Sequence, residues 1–235
     1  MTLRWLICFS ASLLPLWAGA VSGRVELRDS RYAPVRNRHD FSGVVVALTP
    51  VESTAMPAAA KRAVMLQKDK TFSPHVLAIQ AGSLVEFPNA DPIFHNAFSS
   101  YNGQVFDIGL YPPGTSRSVR FARPGVVRVF CNIHSSMSAV IVVVASPYFA
   151  TTKQDGTFNI AGVPPGQYNL SVFHERASEA AVARLSRKIT VGPDDESFPN
   201  IVISEAGYLS IPHKNKYGHD YPTDSGDPAY PGSKP

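Results

Sequence analysis

Cysteine is almost missing from this chain. Of 235 residues only Cys8 and Cys131 are cysteines, and Cys8 sits in what reads as a cleaved leader. Met1-Thr2-Leu3-Arg4 gives a positive start, residues 5–17 an apolar run, and Ala18-Gly19-Ala20 a small-residue cleavage box, the pattern of a secretory signal peptide over residues 1–20. Once it is removed, no intramolecular disulfide can form, and Cys131 is a lone thiol in an oxidising compartment. Such a thiol is a liability unless something occupies it. Long hydrophobic runs are also missing: the leader's run is short for a membrane crossing, and no later run approaches that length without a break, so no membrane span is expected after cleavage. Basic runs are missing too. With Arg4 gone, 21 Lys and Arg face 18 Asp and Glu, a net charge of +3, which excludes a nucleic-acid surface.

Sustained helical periodicity is the last absence. The 20 Pro and 16 Gly punctuate many short apolar runs, and that grammar predicts an all-β fold. Strands are expected over 22–27, 43–48, 64–67, 76–79, 83–87, 104–108, 115–121, 126–130 and 139–144. Turns are expected at Tyr101-Asn102-Gly103, Pro113-Gly114 and Pro124-Gly125. Residues 31–40 read as a polar connection and 52–60, rich in small residues, as a linker.

Chemistry concentrates where one apolar strand runs into Cys131-Asn132-Ile133-His134-Ser135-Ser136-Met137 and another runs out. Taken singly, a buried Cys, a His and a Met are ordinary core or surface residues. Together, a soft thiolate, an imidazole and a thioether on one loop form the donor set of a copper site with a weak axial Met. Another imidazole must come from elsewhere, and His95 in PNADPIFHNAFSS, at a loop–strand junction, is the upstream candidate.

These phrases resemble the cupredoxins, the blue-copper proteins. FSPHVLAIQAGSLVEFPNADPIFHNAFS, the Pro124-Gly125 turn and CNIHSSM carry the likeness over about residues 61–145, and the ligand loop is similar to that of the amicyanin and plastocyanin-like members, amicyanin being a protein of methylamine utilization. The resemblance implies a Greek-key β-sandwich holding one type 1 copper. His95, Cys131 and His134 would be ligands, Met137 would be axial, and Asn96 behind the ligands would tie the two ligand loops together by hydrogen bonds. Ser135-Ser136 departs from relatives that carry Pro and an aromatic residue there.

Beyond Ser146-Pro147 the pattern changes. Asp155-Gly156-Thr157-Phe158 followed by Pro164-Pro165-Gly166-Gln167-Tyr168 is similar to the carboxypeptidase regulatory-like, or transthyretin-like, β-sandwich domain. That family opens with two strands, and the pieces that fit them, 22–27 and 43–48, stand before the copper segment. The expected organisation is therefore nested, since two strands alone cannot bury a core. Residues 21–56 and 150–204 would form one discontinuous sandwich, with the cupredoxin domain, 60–146, inserted in it. Residues 175–187 read as a short helix or loop, and 205–235 as a mostly irregular tail in which His213 and His219 are solvated. His75 reads as a hydrogen-bonded structural residue, whereas His39 and His174 show no partner pattern.

The function implied is that of a periplasmic one-electron carrier with a redox protein partner, amine oxidation being the setting suggested by amicyanin. Pro92, Ile93, Ile133 and Met137 would supply a docking patch around the His134 ring edge. The alternative is copper handling or storage, against which stands the scarcity of Met, with only Met56, Met65 and Met137 after the leader. Copper oxidases and nitrite reductases need a further copper site, and the chain has no His-x-His pair and no second Cys–His loop, so no enzymatic activity is expected.

Overall fold

The computed structural model describes residues 18–52, 61–100, 103–209 and 213–221. Residues 1–17 of the leader, most of the linker, the first two residues of the Tyr101-Asn102-Gly103 turn and the end of the tail lie outside them. The first elements among the described residues are β1 (Gly19–Arg28), α1 (Ala33–Arg38) and β2 (Val45–Pro50). Then come β3 (Arg62–Val64), β4 (Leu66–Lys68), β5 (Thr71–Ser73), β6 (Val76–Gln80), β7 (Ser83–Pro88), β8 (Phe98–Ser99), β9 (Phe106–Asp107), β10 (Ser116–Phe121), β11 (Gly125–Phe130) and β12 (Ser138–Val144). The last part holds β13 (Tyr148–Thr151), β14 (Thr157–Val163), β15 (Gly166–Phe173), α2 (Glu179–Ala183), β16 (Arg187–Val191), β17 (Glu196–Ser197) and β18 (Ile201–Ser204). The fold is an all-β sandwich architecture.

Two pairs of sheets and a two-stranded β4–β5 ribbon result. Strands β6-β12-β11-β8-β9 form one sheet and β10-β7-β3 another, and between them lies a core that includes Phe87, Phe121, Val129, Ile141, Cys131 and Met137. In the second pair, β1 lies between β14 on one side and β17 and β18 on the other, and β2 lies between β13 and β15. Val25, Leu48, Ile160 and Leu170 are in the core that this pair encloses. Strands before residue 51 thus share sheets with strands after residue 147. The Asp155-Gly156 turn meets β1 closely: the Val25 amide donates to the Gly156 carbonyl at 2.9 Å, and a Cβ on Gly156, whose φ is +82°, would stand 2.1 Å from the Val25 oxygen. Only glycine fits there.

Two unbroken apolar runs explain how the pairs join. In β12, Ala139, Ile141 and Val143 face the core that holds Cys131, while Val140, Val142 and Val144 face Val45 and Ala47 of β2. In β2 the other set, Val46 and Leu48, faces the second core. A strand covered on both faces has no polar alternation. Each fully buried Val at this joint contributes about 1.5 kcal/mol or more.

Three local expectations need correction. Residues 31–40 hold the helix α1, with Pro34 in its first turn, where a missing N–H costs nothing, and His39 as its left-handed C-cap at φ 50°. The strand expected over 104–108 is only Phe106–Asp107, matched to the two residues of its partner β8, while the Gln104 side chain bonds Arg120 O and Ala122 N. His174, without a visible partner in the sequence, bonds Glu205 at 2.7 Å and is buried with it.

Glu205 also accepts from Arg176 at 3.1 Å and from Ser30, so it ties the end of β15 and the segment after β1 to β18. Burial opposes its ionisation, but the hydrogen bonds from His174, Arg176 and Ser30 win and hold its pKa down to about 2, against an ordinary 4.5. A carboxylate with a lowered folded pKa adds stability above the unfolded value and loses it as pH falls through the folded one. The contribution, at most roughly 3 kcal/mol, is therefore lost between about pH 4.5 and 2. Glu205→Gln is expected to lower stability at neutral pH and to flatten the acid-unfolding profile in that window. Denaturant melts from pH 7 to pH 2 check this, and an unchanged profile would count against it.

Candidate metal centre

The Cys131–Met137 segment is the connection of the β11–β12 hairpin, closing directly after the Phe130–Ser138 pair. Cys131 N donates to Met137 O at 3.1 Å, and Met137 N donates to His134 O at 3.1 Å. These bonds cross the loop and turn it back on itself. Cys131 and Met137 point into the core and are fully buried, whereas Ser135 and Ser136 are exposed and His134 is half-buried.

His95 arrives on a different loop. Asn89 shapes that loop, donating to Ile93 O at 2.8 Å and accepting from Asp91 N at 3.0 Å. Tyr111 then fixes the backbone of His95 by an exchanged pair of bonds, 3.2 and 2.9 Å. The ring of His95 is fully buried. Its Nε2 lies 2.7 Å from Asp91 Oδ2, and a carboxylate only accepts, so the proton is assigned to Nε2 and the lone pair to Nδ1. Burial works against ionisation of Asp91, yet N–H groups of Lys70 and Asp69 together with the His95 ring hold it below the usual carboxylate range.

The three residues converge. His95 Nδ1 lies 3.9 Å and His134 Nδ1 3.6 Å from Cys131 Sγ, the rings of His95 and His134 meet edge to face at 4.9 Å, and all three donor atoms lie within 4.8 Å of one another. Among the described residues, this is the one group of three or more His, Cys, Asp or Glu arranged so. Desolvation pushes the Cys131 thiol up, while backbone N–H groups of Ile133, Asn96, His134 and Asn132 pull it back. A buried thiol with N–H donors around it and two imidazole nitrogens beside it is a donor set that fits a soft or borderline metal ion such as copper.

No protein-family model matches the chain, and no curated protein does. Solved structures do. One is the Cu-containing nitrite reductase of Thermus scotoductus SA-01, 25% identical over 41% of this chain with a TM-score of 0.35. This chain spans 25% of the length of that one. A purple cupredoxin from Nitrosopumilus maritimus is 24% identical over 35% of this chain and 99% of its own, with a TM-score of 0.32. Amicyanin from Paracoccus versutus is 17% identical over 42% and 98%, at 0.34.

Of the residues that sequence reasoning named, the structure brings His95, Cys131 and His134 together and buries Met137 in the same core as Cys131, while the surroundings differ from the expectation. The Asn96 side chain does not bridge to the ligand loop; its Nδ2 donates to Asp107 Oδ1 at 2.7 Å, and only its backbone N–H serves Cys131. Met137, fully buried, supplies no surface to a docking patch, unlike Ile133 and Phe94, each 38% exposed. Asp91 was missed, although a carboxylate four residues before the His was its visible signal. Asp91→Asn is expected to weaken metal binding by about 10–100-fold, because an amide can donate to Nε2 and move the proton to Nδ1. Competition with a chelator of known affinity measures it, and equal affinities would refute the role.

Proposed function

We propose that this chain is an exported, periplasmic type 1 copper protein that carries single electrons, in which His95, Cys131 and His134 would hold the copper and Met137 would supply a further, weaker donor. The observation that carries the reading is the convergence of two imidazole Nδ1 atoms on one buried sulfur. When bound, copper supplies a one-electron couple between Cu(I) and Cu(II). The residues do the rest. Asp91 fixes the tautomer and orientation of His95, the hairpin bonds hold Cys131 and Met137 in one geometry, and the surrounding core keeps water off the sulfur.

His134 is the half-buried ligand and thus the route for electrons toward a redox protein partner, with Ile133 and Phe94 beside the two histidines as apolar contacts. Amine oxidation is the setting to which the amicyanin resemblance points. The second pair of sheets, which we read as a carboxypeptidase regulatory-like sandwich, then serves as the scaffold that covers the outer face of β12. Among the described residues no helix is long and apolar enough to cross a membrane.

Reconstitution with Cu(II), followed by optical and electron paramagnetic resonance spectra, tests the site: intense visible absorption with a narrow copper hyperfine splitting is expected, and a colourless protein that takes up no copper would overturn it. Copper handling is the competing use of the same site. Full burial of Cys131, His95 and Met137 favours retention, and ready loss of copper to a competing chelator would favour handling. For export, the intact mass of the exported chain should correspond to a start at Val21.

A further inference from the structure

The described residues after β18 hold no strand or helix, yet some of them are fastened onto the Cys131–Met137 loop. His213 stacks on Phe130, the residue before Cys131, with ring centroids 4.0 Å apart and 29° between planes. Tyr221 donates its hydroxyl proton to the Cys131 carbonyl at 2.7 Å and lies 3.2 Å from His213 Nδ1. With that proton committed, the phenol oxygen accepts from His213, so the two tail rings brace each other, edge to face at 5.1 Å. Between them, Lys216 N donates to Asn132 Oδ1 at 2.9 Å, and Lys216 Nζ reaches Asp107 Oδ2 at 2.8 Å. Asp107 in turn holds the Asn96 side chain at 2.7 Å. His213 is therefore not the solvated residue that its polar neighbours suggest.

These contacts converge on both loops that carry the donor atoms. Tyr221 and Lys216 grip Cys131 and Asn132 directly, and Lys216 acts through Asp107 on Asn96, whose backbone N–H serves the Cys131 sulfur. We propose that residues 213–221 are a clamp in which Tyr221 and Lys216 are positioning residues for the Cys131–Met137 loop, fixing the thiolate and slowing metal exchange. The proposal rests on the type 1 copper reading for its metal half only. The geometry of the clamp belongs to the polypeptide and is present without metal.

The test uses the full chain with Tyr221→Phe, Lys216→Met, the double variant and Lys216→Arg. Tyr221→Phe removes one hydroxyl and keeps the ring beside His213, so the fold should stay intact, with an unchanged thermal midpoint. In metal-free protein, amide hydrogen exchange of the peptide holding residues 131–137 is expected to speed up roughly two- to tenfold for Tyr221→Phe. Lys216→Met should give about twofold or more, since that ion pair is partly screened by water, and Lys216→Arg should restore the protected rate. In Cu(II)-loaded protein, loss of copper to a chelator should accelerate by similar factors, and the visible band should shift or broaden, a change that a purely structural role would not produce. Rates for the double variant within twofold of the original chain, in both arms, would overturn the clamp. Failure of the original chain to bind copper would sink the type 1 reading alone, and the exchange arm would still decide for or against the clamp.

Discussion

Cys131→Ser is expected to remove the intense visible absorption completely and to lower copper affinity by at least about 100-fold. Cys131 is fully buried, 3.9 Å from one imidazole nitrogen and 3.6 Å from another, and the intense colour of type 1 copper requires a thiolate–copper bond. A serine hydroxyl is nearly the same size, so the β11–β12 hairpin and its core should survive. It is a harder donor, however, and far less readily ionised than a thiol, even one whose ionisation burial disfavours. The N–H groups that favour the thiolate would have no charge to serve. Titration with Cu(II), followed by absorption and competition, reads the effect, with the far-ultraviolet circular dichroism spectrum as the control for folding. A blue band persisting in the serine variant would show that the sulfur is not the donor and would remove the basis of the proposed function.

Local chemistry was legible in the sequence and long-range partnership was not. The strand–loop–strand around Cys131 announces itself because apolar runs on both sides force a turn, and three soft or borderline donors in seven residues have few other uses. His95 was legible by its place after a strand and a turn. The same logic fails for Asn96, since nothing local shows that its side chain meets Asp107 and leaves the ligand loop to its backbone. It fails further for the tail, where Lys216 and Tyr221 find partners 84 and 90 residues earlier in the chain. Polar, Pro- and Gly-rich composition reports only that a segment lacks its own core; it does not report that the segment lies on someone else's. α1 was hidden for a related reason: it is six residues long and buries a single side chain, Val35, so it leaves no periodic signature.

The largest effect on folding is expected from deleting residues 21–48. That segment supplies nearly all of β1 and half or more of β2, and neither is an edge strand. β1 lies between β14 and the β17 and β18 strands, and β2 lies between β13 and β15, so each sheet of the second pair would lose its middle. Its core would lose Val21, Val25, Leu27, Val35, Phe41, Val44, Val46 and Leu48, eight of its seventeen buried residues. At about 1.5 kcal/mol or more for each buried side chain, the loss is on the order of 10 kcal/mol, as large as the whole stability of an ordinary domain. Residues 148–204 should then unfold and be cut readily by protease. The sheets around Cys131 draw all their strands from residues 62–144, and their core contains none of the deleted residues. They should persist and still bind copper, but with Val140, Val142 and Val144 stripped of Val45 and Ala47, leaving an apolar face prone to self-association. Limited proteolysis with mass analysis, beside a Cu(II) titration, separates the two halves. Protection of residues 148–204 together with lost copper binding would mean that the N-terminal strands support the metal side instead, and would reverse the nested arrangement.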